Sequence, residues 1–404
     1  MSIHKIEMPQ EIYYGAESLT KIGEIARNYG SKVLLVSDAM LEKNGYVDQV
    51  THYLETAGLT VNKYVGVNSE PTDNHVAEAL AIQAEFESDV IVAIGGGSPI
   101  DTAKAVSVVA ANGGYIGDYF QNKKPIVTPP LPVIAIPTTA GTGSEVTNVT
   151  VITNTKENIK MMIKNLAFLP KVALIDPQTT MTCPTHVTAA TGMDALCHGI
   201  ESYISTISHP LTKTFSIAAI ELILNNIETA FAEGSNVEAR TNLALGSMEA
   251  GIAFSNASVT LVHGMSRPIG AMFHVPHGIS NSMLLPAVLE FTKEAAVEPL
   301  AEIARLFLSR DELEGKTSEE LADATITKVK QLSQSLAIPN LKTWGIDQTE
   351  FEQALDKMAS DAINSGSPGY NPRVPSHEEV VALYRRCYDY DFSTSEDTSN
   401  LTTV

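Results

Sequence analysis

Residues able to do chemistry gather in three places in this 404-residue chain. In TGMDALCHGIESY, Asp194 and His198 stand four residues apart, so on a helix they share one face and can chelate a cation. Downstream, LVHGMSRPIGAMFHVPHG holds His263, Arg267, His274 and His277, a high density for a chain with ten histidines. A carboxylate with several imidazoles suits Fe(II), Zn(II) or another borderline divalent ion. Taken singly, the same residues also fit plainer roles: Asp194 as a first-turn aspartate favoured by a helix dipole, and His198 as its neutral neighbour.

The second place is a glycine loop. Gly95, Gly96 and Gly97 follow the run DVIVAI directly and precede Ser98, Pro99 and the helical stretch DTAKAVSVVAAN. Ser98 reads as the N-cap, Pro99 as the first helical residue and Asp101 as the capping-box partner. Glycines let a backbone approach a pyrophosphate, which the N–H groups of the helix start then bind. Three glycines alone fit an ordinary strand-to-helix turn equally well. The acidic candidate for the adenosine ribose, Asp38, precedes the glycines, whereas the usual fingerprint puts it about 20 residues after them. From there it would bond ribose hydroxyls and repel an extra phosphate, favouring NAD over NADP; a turn or cap role is its alternative. The third place, PTTAGTGSEVT from Pro137 to Thr147, can surround an anion or a nicotinamide with hydroxyls and N–H groups, or bond only to itself as a surface turn.

These groups need elements to hold them. The runs KVLLVS (32–37), DVIVAI (89–94), LPVIAIP (131–137) and KVALID (171–176) alternate with helical periods, as in a parallel sheet covered by helices. Both loops leave strands of that sheet, where open α/β folds bind ligands. After Pro184, helical stretches such as FSIAAIELILNNIETAFAE and EEVVALYRRCYD take over. The expected organisation is α/β plus all-α: a Rossmann-like dinucleotide-binding domain over 1–182, a helical metal- and substrate-binding domain over 183–388 and a loose polar tail over 389–404. The chain is long enough for two or three domains, each with a real core.

The formal net charge of -20 is scattered, which disfavours nucleic acid and anionic lipid as partners. Three cysteines, Cys183, Cys197 and Cys387, lack CxxC spacing and fit a reducing compartment. With no leader pattern and apolar runs too short to span a bilayer, a cytoplasmic protein without a membrane partner is expected.

Together, GGGSPIDTAKAV (95–106), PTTAGTGSEVT (137–147), GMDALCHGIESY (192–203), HGMSRPIG from His263, VPHG ending at Gly278 and NPR (371–373) resemble the iron-dependent, group III alcohol dehydrogenases. That family includes lactaldehyde reductases and 1,3-propanediol, methanol and butanol dehydrogenases. The resemblance runs to about residue 388. It implies metal ligation by Asp194, His198, His263 and His277, with Fe(II) usual and Zn(II) an alternative, in a cleft between the two domains. It implies cofactor contacts from Asp38, Gly96, Gly97, Ser98, Thr138, Thr139, Thr142 and Lys160, a pocket contact from Phe254, a small alcohol or aldehyde substrate, and a homodimer or higher homo-oligomer. Many members carry a histidine where this chain has Arg267, which stays protonated and cannot act as a base. Arg267 is then expected to contact an anionic group, and His274 or a water on the metal to take the proton role. Glycerol dehydrogenases and dehydroquinate synthases resemble the same architecture but use an acidic residue with two histidines. A nonenzymatic nucleotide-binding protein is the remote alternative.

Overall fold

Alternate side chains of a strand face opposite ways, so a strand covered on both sides must be apolar throughout. In the computed structural model, which describes residues 3–157 and 159–394, the strands are β1 (Glu11–Tyr14), β2 (Lys32–Val36), β3 (Thr60–Tyr64), β4 (Val90–Gly95), β5 (Val133–Pro137), β6 (Val149–Asn154), β7 (Ile159–Lys164) and β8 (Val172–Ile175). Six form one parallel sheet in the order β1-β8-β5-β4-β2-β3, while β6 and β7 pair as an antiparallel hairpin. The four runs legible in the sequence are β2, β4, β5 and β8. The edge strands were not legible: β3 reads TVNKY and buries only Tyr64, because only one face and one side of it are covered.

Val33, Leu35, Val92, Ile94 and Ile134 pack on one face with Ile25, Val47, Val50 and Leu54. Leu34, Val36, Ile91, Ala93 and Ala135 pack on the other with Val76, Ala79, Ala103 and Val106. Full burial of each Val, Leu or Ile contributes about 1.5–3 kcal/mol. The chain goes from β2 outward to β3, then returns past β2 to β4 and onward to β5. The direction therefore reverses between β2 and β4, and the crevice beyond their carboxyl ends is where such sheets hold ligands. Asp38 follows β2 there and Gly95 ends β4, and the Ser37 hydroxyl joins them by donating to the Ile94 carbonyl at 2.8 Å.

Among the described residues, those up to 183 together with 235–255 make up one unit, and 184–234 with those from 256 onward the other. The sequence boundary at 182/183 thus misses one excursion: the helix Val237–Ala257, read as part of the helical half, belongs to the α/β unit as far as Ser255. A Cβ on Gly251 would lie 2.9 Å from the Gly143 Cα and 2.7 Å from the Val146 Cγ2, an approach open only to glycine. Helical periodicity announces the helix without saying what it packs against.

In the second unit the helix Thr185–Ile204 is buried almost throughout and packs against Pro210–Ala232 and His277–Thr292. By length and composition Pro210–Ala232 could cross a membrane, longer than the apolar runs seen in the sequence. Here it packs against Thr185–Ile204 through a buried stripe of Ser216, Ala219, Ile220, Ile223 and Ile227, with Glu221 and Glu228 exposed. The expected tail at 389–404 begins as packed chain. Tyr390 and Phe392 are buried edge to face, and the Tyr390 carbonyl accepts from Asn340 Nδ2 at 3.1 Å. Their alternation with Asp389 and Asp391 is a period-two pattern that a search for helical spacing overlooks. Residues 395–404 of that segment lie outside the described residues.

Candidate metal centre and glycine cradle

Asp194 and His198 sit on Thr185–Ile204, His263 on Leu261–Phe273, and His277 is the first residue of His277–Thr292. The last two helices are joined by a sharp turn at His274, left-handed at φ 55°, which brings His277 back toward the others. Gly278 lets this helix start lie on the Asp194 helix, since a Cβ there would meet the Ala190 carbonyl oxygen at 2.7 Å. One ligand atom from each of Asp194, His198, His263 and His277 lies within 4.8 Å of all the others. The first three side chains are buried and His277 is partly so.

The donor set fits a cation. Nε2 of His198 and Nε2 of His263 face each other at 2.9 Å, and Asp194 Oδ1 is 3.6 Å from the latter. Neutral imidazoles present lone pairs there, so a positive centre relieves their repulsion. Asn281 Nδ2 fills part of that role, reaching Asp194 Oδ1 at 2.7 Å, His263 Nε2 at 3.0 Å and His277 Nε2 at 3.2 Å. Its own Oδ1 is buried without a partner.

Behind His263 stands Glu201, fully buried. Glu201 Oε2 bonds His263 Nδ1, and Oε1 accepts from the Thr260 hydroxyl at 2.8 Å and the Val262 N–H at 2.7 Å. With its proton on Nδ1 toward Glu201, His263 keeps the Nε2 lone pair for a metal. Burial alone would lift the Asp194 and Glu201 carboxyls. The imidazoles outweigh it: His198, His277 and His263 hold Asp194 well below the usual carboxylate range, and His263 with the Thr260 and Val262 donors lowers Glu201. Burial pulls His263 down, but Glu201 and Asp194 together hold it above an ordinary imidazole.

Glu201 and Asn281 were missed in the sequence although both lie on faces already in use. Glu201 is seven residues after Asp194 and Asn281 four after His277. Arg267 is one turn beyond His263, and its Nη1 donates to the Ser367 hydroxyl at 3.0 Å. His274 is exposed at its helix end.

In the α/β unit, the helix after β4 starts at Gly97 with Gly96 as N-cap, and no side chain caps it. Ser98 and Pro99 are therefore already helical. Asp101 does not turn back to a cap: its Oδ1 accepts from the Ser144 hydroxyl at 2.5 Å and its Oδ2 from the Val151 N–H at 2.8 Å. It is a buried tie to the second loop, contrary to the capping role expected of it. An uncapped glycine start leaves its N–H groups for an anion. The threonine loop closes over it. The Thr138 N–H donates to the Gly95 carbonyl at 2.9 Å, and Cβ atoms on Gly96 and Gly97 would lie 3.5 Å from Thr139 Oγ1 and 3.0 Å from Thr142 Cγ2.

Asp38 caps the helix Ala39–Lys43 through Oδ1, which accepts from the Met40 and Leu41 N–H groups at 2.9 Å. Lys160, on β7, pairs with Glu70 at 2.6 Å. Phe254 is partly buried in Val237–Ala257.

Comparison with known proteins adds a separate line. The family described as iron-containing alcohol dehydrogenase matches residues 9–177, and its C-terminal counterpart matches 188–388. An NADPH-dependent butanol dehydrogenase of Clostridium saccharobutylicum is 36% identical over 390 residues, covering 95% of this chain and 98% of that protein. The crystal structure of a 1,3-propanediol oxidoreductase aligns with a TM-score of 0.91 at 36% identity, over 96% of this chain and 100% of the other. A sulfoacetaldehyde reductase from Bifidobacterium kashiwanohense, solved in complex with NAD+, aligns at 0.86 with 26% identity, over 97% and 100%.

Proposed function

The chain belongs to the iron-containing alcohol dehydrogenase family, and from that premise we propose that it interconverts small primary alcohols or diols and their aldehydes with Asp194, His198, His263 and His277 as metal ligands. It is an alcohol and aldehyde oxidoreductase by descent; the substrate class and the residue roles are our reading. The observation that carries it is the convergence of four donor atoms, one carboxylate and three imidazoles, backed by Glu201.

Asp194, His198, His263 and His277 would hold Fe(II), or Zn(II) as the alternative, which would supply Lewis acidity, and a bound dinucleotide would supply the hydride chemistry. The chain's own work is to position. Glu201 fixes the ring and tautomer of His263, and Asn281 holds Asp194 Oδ1. Gly95, Gly96, Gly97 and Ser98 offer backbone N–H groups to a pyrophosphate, with Thr138, Thr139 and Thr142 beside them. Asp38, whose Oδ1 serves the cap, offers Oδ2 toward a ribose and favours NAD over NADP. We place the protein in the cytoplasm, as an odd set of three cysteines without CxxC spacing supports, and as a homodimer, which sedimentation would test.

The test is NADH formation by anaerobically purified, chelator-stripped protein on a panel of primary alcohols and diols, before and after adding Fe(II) or Zn(II). Metal-restored turnover is expected. Silence with every alcohol, aldehyde and metal, in folded and metal-loaded protein, overturns the reading.

A further inference from the structure

Lys104 is one of the largest fully buried side chains of the chain, with no exposure at all, and nothing in the reaction above uses it. It lies two turns into the helix that begins at the glycine loop. An ammonium has three hydrogens to donate, and each finds an acceptor: the Ser144 hydroxyl at 2.8 Å, the Thr147 hydroxyl at 3.1 Å and the Val149 carbonyl at 2.8 Å. Asp101, one turn back on the same helix, is 3.5 Å from Nζ and receives the Ser144 hydroxyl and the Val151 N–H. The Asp101 carbonyl also accepts from the Thr150 hydroxyl at 2.9 Å. The partners outside the helix all lie in residues 144–151, the segment that leaves the threonine loop.

This is an unusual way to fasten a loop. Burying an ammonium and a carboxylate is costly unless every donor and acceptor is used, and here they are. The return is geometric. Ser144, held by both charges, donates its N–H to Thr142 Oγ1 at 3.2 Å, and Thr142 is the side chain set against Gly97. Glu145, also buried, faces Lys104 as a second carboxyl, and burial pushes it up to about 7 while Lys104 opposes the rise.

We propose that Lys104, with Asp101 and Ser144, is the latch that fixes the threonine loop over the glycine loop, making Lys104 a positioning residue for dinucleotide binding. It acts through Ser144 and Thr142 rather than by touching the cofactor, and the assignment rests on the cofactor reading above. A cradle made of backbone N–H groups has no side chain with which to correct its own geometry, so its affinity depends on preorganisation.

The test uses metal-loaded full-length protein carrying Lys104→Met or Ser144→Ala. For Lys104→Met, the NADH dissociation constant and the KM for NAD+ should rise about 10- to 100-fold, with kcat at saturating NAD+ within about threefold and metal content unchanged. Without nucleotide, amides of residues 139–147 should exchange at least about tenfold faster. Ser144→Ala, which leaves both charges in place, should shift affinity and exchange the same way by several-fold. Lys104→Met takes the ammonium away from Asp101; should it fail to fold, Ser144→Ala decides. Folded variants with wild-type NADH affinity overturn the proposal, whatever the exchange rates. A wild type that binds no NADH, in which Lys104→Met still loosens 139–147, overturns the cofactor reading and upholds the latch.

Discussion

At the proposed metal centre the donor atoms are side-chain oxygens and nitrogens carried by three helices, whereas at the glycine loop the proposed contacts are backbone N–H groups, with nearby side chains packed against that backbone. On the proposed reading, exchanging Asp194, His198, His263 or His277 should change the chemistry. At the cradle a single carbon added to Gly97 would crowd Thr142, whose Cγ2 it would meet at 3.0 Å. The two regions also pay differently for burial. The metal centre stores excess lone pairs that a cation satisfies, while the Lys104 network is already neutralised within itself. One region should therefore respond strongly to metal, and the other to steric change.

The largest effect expected is at His263. His263→Ala should abolish metal retention and lower kcat/KM by about a thousandfold or more, since the Lewis acid supplies several kcal/mol, with far-UV circular dichroism unchanged. Elemental analysis of the purified variant checks it; wild-type metal content with full turnover removes His263 from the ligand set.

Glu201→Gln should weaken metal binding about 10- to 100-fold at alkaline pH. Its pH dependence sharpens the contrast. A metal requires neutral His263, and Glu201 and Asp194 hold that imidazole above its ordinary value. Protons should therefore expel metal from the wild type at a higher pH than an ordinary histidine site would allow, and Glu201→Gln should move that midpoint down. In stripped protein the sign reverses. A raised His263 stabilises the fold fully below about pH 6.5 and less as pH rises through its folded value, while a lowered Glu201 stabilises above about pH 4.5 and less as pH falls. The Tm advantage of stripped wild type over Glu201→Gln should thus be greatest between those values and shrink toward alkaline pH, while the metal-loaded advantage grows. Parallel pH trends with and without metal would refute the coupling.

Gly251→Val probes the other region. The new Cβ meets Val146 and Gly143, itself at φ 60°, so overpacking should cost about 1–3 kcal/mol and weaken NADH binding while metal content stays at the wild-type level. Metal loss equal to the loss of NADH affinity would show that the two regions are not separately built.

The same division explains what could be read from the sequence. Strands buried on both faces announce themselves as apolar runs, so β2, β4, β5 and β8 were legible, and four-residue spacing disclosed Asp194 with His198. Ligating side chains have distinctive chemistry and stand out in a chain poor in histidine. Supporting side chains do not: Glu201 looks like any helical glutamate, and Lys104 in DTAKAV looks exposed until Ser144, Thr147 and Val149, some forty residues on, arrive to accept its protons. Asp101 was misread because a local capping rule was preferred to a partner distant in sequence. Ser98 was misplaced because an uncapped glycine start has no local signature. Edge strands and the helix Val237–Ala257 depend on what covers them, which short-range patterns do not encode.

Arg267→Ala should have the smallest effect, and it tests whether the metal region carries any selectivity beyond its ligands. The guanidinium is one turn from His263 and bonded to Ser367, so it supplies a fixed positive charge that cannot serve as a base. Such a charge should favour an anionic group on the substrate or cofactor without altering the ion's chemistry. Arg267→Ala should raise KM for a sulfonated or carboxylated aldehyde several-fold more than for a neutral one of the same length, with Arg267→Lys restoring part of the difference and kcat changing little. Equal KM values for both aldehydes and for NAD+ across the three proteins would end the anion-contact reading. Arg267 would then be a packing residue that holds Ser367, and the proton role expected of His274 would need its own variant to establish it.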